Sequence, residues 1–379
     1  MEQYTMPTKI FFGKAAIDIL ASLTFKKYYI ICDPFMQKSH KVDTITEILK
    51  EKSATYEIFA DVVPDPTIDV VTKGLEGIIN FEPDAVIALG GGSAIDTAKA
   101  ITNIYAKTVE NKPPKLIAIP TTSGTGSEVT SFAVISDPTT KAKYPIIDNS
   151  LLPDLAILDA QFTLSVPASV TADTGMDVLT HTLEAYVSTN ASDFTDACGE
   201  KAMRLVWDNL DKTVKNGSDE TAREKMHNAS CLAGIAFNGA SLGICHSLAH
   251  AFGGQFHIPH GRANAMLLPH VIAYNAGLNE ATEYCALARY EQAANLLGLK
   301  NGTPKATVHS LISRIKRMTK QFSIPQTINE YGIDPTEFIE AVPIMAEKAL
   351  ADNCTVTNPR QPALADLEAI YKELVKGGF

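Results

Sequence analysis

Asp177 and His181 stand four residues apart in the stretch "TADTGMDVLTHTLEAYVS" at 171–188. On a helix, residues at that spacing leave the same face and reach one point. A carboxylate and an imidazole aimed at one point can be two ligands of a metal ion. They can equally be a satisfied polar pair on a solvated face, so the pair by itself leaves both readings open. A second stretch narrows the choice. "LGICHSLAHAFGGQFHIPHGRANAMLLPH", residues 242–270, holds five of the nine histidines. His246 and His250 are four apart on a predicted helix that stops near Gly253 and Gly254. His260 follows Pro259 and opens the next predicted helix, so a chain that turns back can bring His246 and His260 together. Core histidines do not gather at this density. One carboxylate with two or three imidazoles suits Zn²⁺, Fe²⁺ or another borderline divalent ion.

The elements that must position these residues divide the chain in two. Up to about residue 165, short β-rich runs alternate with amphipathic stretches: "KYYIICD", "TYEIFADV", "DAVIALG" and "KLIAIPT" are each bounded by Gly, Pro or Asp. Between them lie helical patterns such as Val42 to Lys52 and Ile68 to Phe81. That alternation predicts a parallel sheet with helices on its faces. "FAVISD" and "KYPIID" read as a hairpin, and "LAILD" as one more strand. After Pro167 nearly every window has helical spacing. The expected organisation is therefore α/β plus all-α, with a parallel-sheet domain at 1–165 and an all-helical domain at 166–379. A cleft between two such halves is a usual place for a ligand.

The first half carries two loops of ligand-binding character. "DAVIALGGGSAIDTAKA" reads as a buried strand, three glycines, a serine and a helix. Gly90, Gly91 and Gly92 let a ligand approach the main chain, and Ser93 is placed to cap the helix. Free N–H groups at a helix start suit a pyrophosphate, although a plain tight turn has the same signature. It is neither G-x-G-x-x-G nor a P-loop. The second loop, "IPTTSGTGSEVTS" at 119–131, has seven hydroxyl residues and two glycines directly after a strand. Asp33 ends "YYIICD" and can accept hydrogen bonds from a ribose diol, favouring NAD by repelling a 2′-phosphate. It can equally start a turn with Pro34.

Composition narrows the class. Apolar residues form 45% of 379, ample for sizeable cores. The net charge is −10, with basic residues densest only at Lys26-Lys27 and from Arg314 to Arg317, which argues against nucleic acid or an anionic membrane as partner. No secretory leader and no apolar segment of spanning length is read. The six cysteines are scattered without a C-x-x-C pair, so they read as reduced thiols of a cytoplasmic protein.

Taken together, "D-x-x-x-H", "H-x-x-x-H" and "P-H-G-x-x-N-A" resemble the signature of the iron-containing (group III) alcohol dehydrogenases. "GGGSAIDTAK" and "PTTSGTGSEVT" resemble that family's first-half motifs, and the likeness runs from "TKIFFGKAA" to "DNCTVTNPR". Within the family the chain looks most like the reductases of short aliphatic aldehydes, of lactaldehyde, propanol and ethanol type. The resemblance implies that Asp177, His181, His246 and His260 bind one divalent metal, Fe²⁺ with Zn²⁺ as the alternative. It implies that Gly91, Gly92, Ser93 and Asp96 hold the pyrophosphate, that Thr121, Thr122, Thr125 and Lys143 also contact NAD, and that Asp33 selects it. His250 matches the non-ligand histidine near nicotinamide and substrate, where an imidazole could relay a proton. His257, His270 and His309 match no ligand position. Phe132, Phe237 and Cys354 fall where the family's substrate cleft is lined, and an aromatic at Phe132 favours a plain short alcohol over a diol.

The resulting expectation is an NAD-dependent oxidoreductase interconverting short-chain primary alcohols and aldehydes of the ethanol, propanol and 1,2-propanediol class. The metal would be the Lewis acid for hydride transfer. The N-terminal strand resembles a segment that pairs between subunits in the family, so a homodimer or higher homo-oligomer is expected. Three other readings stand beside it. A lyase or cyclase of dehydroquinate synthase type would want more Lys and Arg than Arg262 and Arg360 near its cleft. Polyol oxidation of glycerol dehydrogenase type is nearer, but His246 favours the iron pattern. A non-enzymatic helical scaffold would leave the two glycine- and hydroxyl-rich loops without a purpose.

Overall fold

Each apolar run read in the first half forms a strand in the computed structural model. It describes residues 3–108, 113–137, 142–280 and 285–376, less the side chains of 137, 142, 143 and 285. The strands are β1 (Lys9–Phe12), β2 (Lys27–Cys32), β3 (Thr55–Phe59), β4 (Ala85–Gly90), β5 (Lys115–Pro120), β6 (Phe132–Asp137), β7 (Ala142–Ile147) and β8 (Leu155–Leu158). Six of them make one sheet in the order β1-β8-β5-β4-β2-β3. Every neighbour pair in it is parallel. β6 and β7 form the separate antiparallel hairpin, with Phe132 opposite Ile147.

Strands buried on both faces need near-continuous apolar sequence, and β4 is buried at every position. Alternation then sorts side chains to two cores. Tyr28, Ile30 and Cys32 of β2 join Val42, Ile45 and Leu49 of the Lys41–Glu51 helix on one face. Tyr29 and Ile31 join Val71 and Ile78 of the Ile68–Phe81 helix, with Ile95, Ala98 and Ile101 of the Gly92–Thr108 helix, on the other. Each fully buried aliphatic side chain contributes roughly 1.5–3 kcal/mol, so both faces hold the sheet firmly.

The strand order also locates a ligand site. From β2 the chain runs outward to β3, and from β4 it proceeds to the other side through β5. Open parallel sheets bind ligands beyond the carboxyl ends of strands at such a reversal. Cys32 is in register with Leu89, and Gly90 with Pro120. Asp33, Gly91 and Thr121 thus begin their loops side by side. β1 pairs in parallel with β8 of its own chain, and its other edge carries no strand among the described residues.

From Pro167 onward the described elements are helical. The chain forms two compact units, one reaching to Val166 and including Ser218–Gly234, the other comprising Pro167–Gly217 and the chain from Ile235 on. Helical spacing around 218–234 does not reveal which unit a helix packs on. In the second unit the Asp177 helix (Ala168–Val187) is buried from Thr171 to Val187 apart from Thr174. It is a core helix although Asp173, Asp177, His181 and Glu184 are among its buried residues, and it packs against Asp193–Lys215 and His260–Asn275. No single described helix is long and apolar enough to cross a membrane.

Candidate metal centre and dinucleotide loop

Three helices of the second unit bring four donors to one point. The Asp177 helix supplies Asp177 and His181, the Ile244–Phe256 helix supplies His246, and His260 is the first residue of the His260–Asn275 helix. Asp177 Oδ1 lies 3.9 Å from His181 Nε2, 3.7 Å from His246 Nε2 and 3.5 Å from His260 Nε2. Donor atoms of Asp177, His181 and His246 lie within 4.8 Å of one another, and His260 adjoins them through Asp177 Oδ1. Four tetrahedral donors bonded at about 2.1 Å stand about 3.4 Å apart, so three donors are grouped for a divalent ion and His260 would close in as the fourth. The donor chemistry fits as well, with one carboxylate and three imidazoles.

Local sequence explains the convergence. A methyl on Gly261 would sit 2.1 Å from the carbonyl oxygen of Asp173 and 3.2 Å from Asp177 Cβ. Only glycine lets the His260 helix start this close to the Asp177 helix. Arg262 Nε then donates to Asp173 Oδ1 at 3.1 Å and holds the same junction.

Around the donors the rings stack. His181 lies between Phe237, with centroids 4.5 Å apart, and His246, at 4.7 Å and 15° between planes. His250 stacks on His260 at 5.3 Å. Its Nδ1 is 2.8 Å from Asp352 Oδ2, and Asp352 Oδ1 accepts the Cys354 backbone N–H at 2.8 Å. The predicted pocket residue Cys354 thus sits beside the anchor of His250. His257 ends its helix in the left-handed region, and His270 is buried without entering the donor set described above.

Charge follows the geometry. Burial would raise Asp177, but His181, His260 and His246 outweigh it and hold its carboxyl far below the usual range. Burial would lower His246, yet the hydrogen bonds it donates to Asp177 and Glu184 hold it up at about 9. Asp352 is also raised by burial and more strongly lowered by His250 and Cys354, to about 2. Asp177 and Glu184, 3% and 1% exposed, place two carboxylates in one core, an environment that favours a cation.

In the first unit the two loops read from the sequence pack on one another. A methyl on Gly92 would meet Thr125 Cγ2 at 2.8 Å, and one on Gly91 would meet Thr122 Oγ1 at 3.2 Å. The Thr121 N–H donates to the Gly90 carbonyl at 2.9 Å. Asp33 Oδ1 caps the short helix Pro34–Lys38 through Phe35 and Met36, while Oδ2 lies beside Gly90. The turn reading of Asp33-Pro34 is therefore realised by one oxygen, leaving the second toward the loop. Ser93 differs from the cap expected of it. The helix starts at Gly92, and Ala94 and Ile95 donate to the Gly91 carbonyl, so Ser93 lies within the first turn.

Asp96 is spent on protein groups: Oδ1 accepts from Ser127 Oγ at 2.6 Å and Oδ2 from the Val134 N–H at 3.0 Å. Phe132 opens β6, its carbonyl held by Lys99 Nζ at 2.7 Å. Lys143 lies in β7 opposite Ser136, and its side chain is outside the described residues. Sequence reasoning missed the supports of both sites. Glu184, Asn264 and Asp352 ring the donors, and buried His227 meets Ser123 Oγ at 3.0 Å in the threonine loop. Glu184 alone carried a signal, since it follows His181 by three residues on the same helical face.

A parallel sheet with a glycine loop at its reversal, and a helical unit with three buried donors and His260 at their open side, define a metal-dependent dinucleotide enzyme. Residues 7–160 match the family model "Iron-containing alcohol dehydrogenase", and 171–375 match "Fe-containing alcohol dehydrogenase family, C-terminal". The chain belongs to the iron-containing alcohol dehydrogenase family and is an oxidoreductase, with NAD(H) and Fe²⁺ as the family's cofactors. It is 44% identical to the 1-propanol dehydrogenase PduQ of Citrobacter freundii over 99% of this chain and 100% of that one. It is 41% identical to an NADPH-dependent butanol dehydrogenase of Clostridium saccharobutylicum over 98% and 97%. Among solved structures, a 1,3-propanediol oxidoreductase matches at 36% identity with a TM-score of 0.90, covering 99% and 100%.

Proposed function

We propose that this protein interconverts short-chain primary alcohols and aldehydes, with Asp177, His181, His246 and His260 holding the metal. The observation that carries the reading is the convergence of three imidazole nitrogens on Asp177 Oδ1 within 3.9 Å. The propanol, butanol and propanediol enzymes among its relatives support the substrate class. All three are oxidoreductases, which leaves the lyase and scaffold readings without support there.

Residues 1–165 form the NAD-binding domain in this reading and 166–379 the metal-binding and catalytic domain. Gly91, Gly92 and Ser93 cradle the pyrophosphate, with Thr121, Thr122, Thr125 and Lys143 beside it and Asp96 tying the second loop down. Asp33 selects NAD through its second oxygen, although one relative is named as NADPH-dependent. When bound, the cation supplies Lewis acidity toward the substrate oxygen, and the nicotinamide carries the hydride.

The chain's own residues do the rest. Asp177 stays ionised throughout the physiological range and supplies the charge that holds the site together. Phe237, buried against His181, excludes water from one side of the donors. Phe237 and Cys354, beside His181 and the anchor of His250, give the metal centre its substrate-facing wall in this reading. His250, its Nδ1 anchored by Asp352, keeps Nε2 for taking and returning a proton. The open edge of β1, with Phe12 68% exposed, supports a homo-oligomer, which light scattering on the purified protein would test.

The test is NADH oxidation with propanal on chelator-stripped protein reloaded anaerobically with Fe²⁺ or Zn²⁺, with NADPH as control. Metal-dependent activity that prefers NADH is expected. Turnover without metal, or none under any loading despite bound NAD, would sink the mechanism.

A further inference from the structure

We propose that Glu184 is the positioning residue of the metal centre and holds His246 in the one tautomer that can ligate. The inference rests on the reading of His246 as a metal ligand and deepens it. Glu184 is 1% exposed, and both its oxygens are committed. Oε2 lies 2.5 Å from His246 Nδ1, and Oε1 accepts the Cys245 backbone N–H at 2.7 Å.

A neutral imidazole donates from one nitrogen and accepts at the other, whereas an ionised carboxylate only accepts. The contact with Oε2 therefore places the His246 proton on Nδ1. In the neutral ring Nε2 then keeps its lone pair, and that is the atom facing Asp177 Oδ1 at 3.7 Å. Asn264 agrees with this assignment, because its Nδ2 lies 3.2 Å from His246 Nε2 while donating to Asp177 Oδ1 at 2.8 Å. Its remaining N–H faces His246 Nε2 and His260 Nε2, both at 3.2 Å, and a ring takes it only through a lone pair.

The second oxygen fixes the first. Cys245 lies in the opening turn of the Ile244–Phe256 helix, where N–H groups lack intrahelical partners and a negative charge is favoured. The carboxylate is thereby clamped between the helix start and the ring. Space enforces the clamp, because a methyl on Gly243 would lie 2.8 Å from Glu184 Oε1. One helix thus supplies two ligands, Asp177 and His181, and the anchor for a third.

Glu184→Gln separates this role from simple packing. The amide has the same shape, but it can accept from only one of the two N–H groups. With its oxygen kept on Cys245, its NH₂ faces His246 Nδ1, which must then accept, and the proton moves to Nε2, where it blocks ligation. Full-length protein with ¹⁵N-labelled histidine is titrated with Zn²⁺ against a competing chelator, and the imidazole tautomers are read by NMR. At alkaline pH, where the Zn²⁺-free ring is neutral, the wild type is expected to carry its one His246 proton on Nδ1. Glu184→Gln is expected to bind Zn²⁺ about 10–100-fold more weakly, the range for outer partners of metal-bound histidine. Its NADH binding and circular dichroism should match wild type. A neutral wild-type His246 whose single proton sits on Nε2, in Zn²⁺-free protein at alkaline pH, overturns the proposal, and needs no variant that folds. Equal Zn²⁺ affinity in Glu184→Gln also overturns it, leaving the metal reading intact. A wild type that binds no Zn²⁺ overturns the metal reading and this proposal together.

Discussion

The loop after β4 and the donor set around Asp177 differ in what they are made of. The first consists of backbone and small side chains at the ends of adjacent parallel strands, so its shape follows from sheet register and the absence of Cβ atoms. The second consists of four functional side chains from three helices, positioned by other side chains such as Glu184, Asn264 and Asp352. The first site should fail by steric intrusion, and the second by loss of one chemical group. Each should fail separately, because their supports lie in different compact units.

The largest expected effect is at the common centre of the donor set. Asp177→Asn removes the charge on which three imidazoles converge. Divalent-metal affinity should fall by well over about 100-fold, beyond the range for outer partners. NADH binding, followed by fluorescence, should be unchanged. Loss of both together would break the separation. Next comes His250→Ala, expected to lower kcat by about 100-fold, the low end for general acid–base catalysis, with metal content retained. A variant with near wild-type turnover and pH profile would remove the proton relay and leave His250 as a pocket wall.

The same contrast governs what could be read beforehand. Strand positions and the two loops are local patterns, and β2, β4 and β5 fall where "KYYIICD", "DAVIALG" and "KLIAIPT" stand. The four donors were legible because helical spacing pairs Asp177 with His181 and a turn returns His260 toward His246. Their supports were not. Asp352 reaches His250 across 102 residues, and His227 reaches Ser123 across 104. No periodicity links such partners. Asp33 shows a different limit: one oxygen caps the Pro34–Lys38 helix as the turn reading expects, while the other lies beside Gly90, so the turn does not decide the ribose reading. Ser93 shows a third, since the Gly91 carbonyl starts the helix before the residue best suited to cap it.

On the first site, Gly92→Ala sharpens the steric half of the comparison. Its methyl would intrude to 2.8 Å on Thr125 Cγ2, within the packed pair of loops. Overpacking of this kind costs about 1–3 kcal/mol, so NADH affinity should weaken by about tenfold while Zn²⁺ affinity holds. Gly91→Ala, with 3.2 Å to a rotatable hydroxyl, should be milder. Isothermal titration of both ligands against both variants reads the difference directly.

The smallest effect concerns the support of the threonine loop. His227 is 1% exposed, and burial pushes its imidazole down to about 4 from the ordinary 6.5. Between those values the unfolded chain binds a proton that the folded protein refuses, so stability falls as pH drops through this window. At pH 5, still above the folded value, the loss relative to neutral pH is about 2 kcal/mol at 1.36 kcal/mol per pH unit. His227→Gln keeps a polar partner for Ser123 Oγ but cannot take up that proton. Urea unfolding at pH 7 and pH 5 should therefore show the variant losing less stability than wild type by about that amount. An identical pH dependence in the two proteins would mean that His227 accepts its proton without unfolding, and that the loop rests on packing such as Gly126 against Gly234 instead.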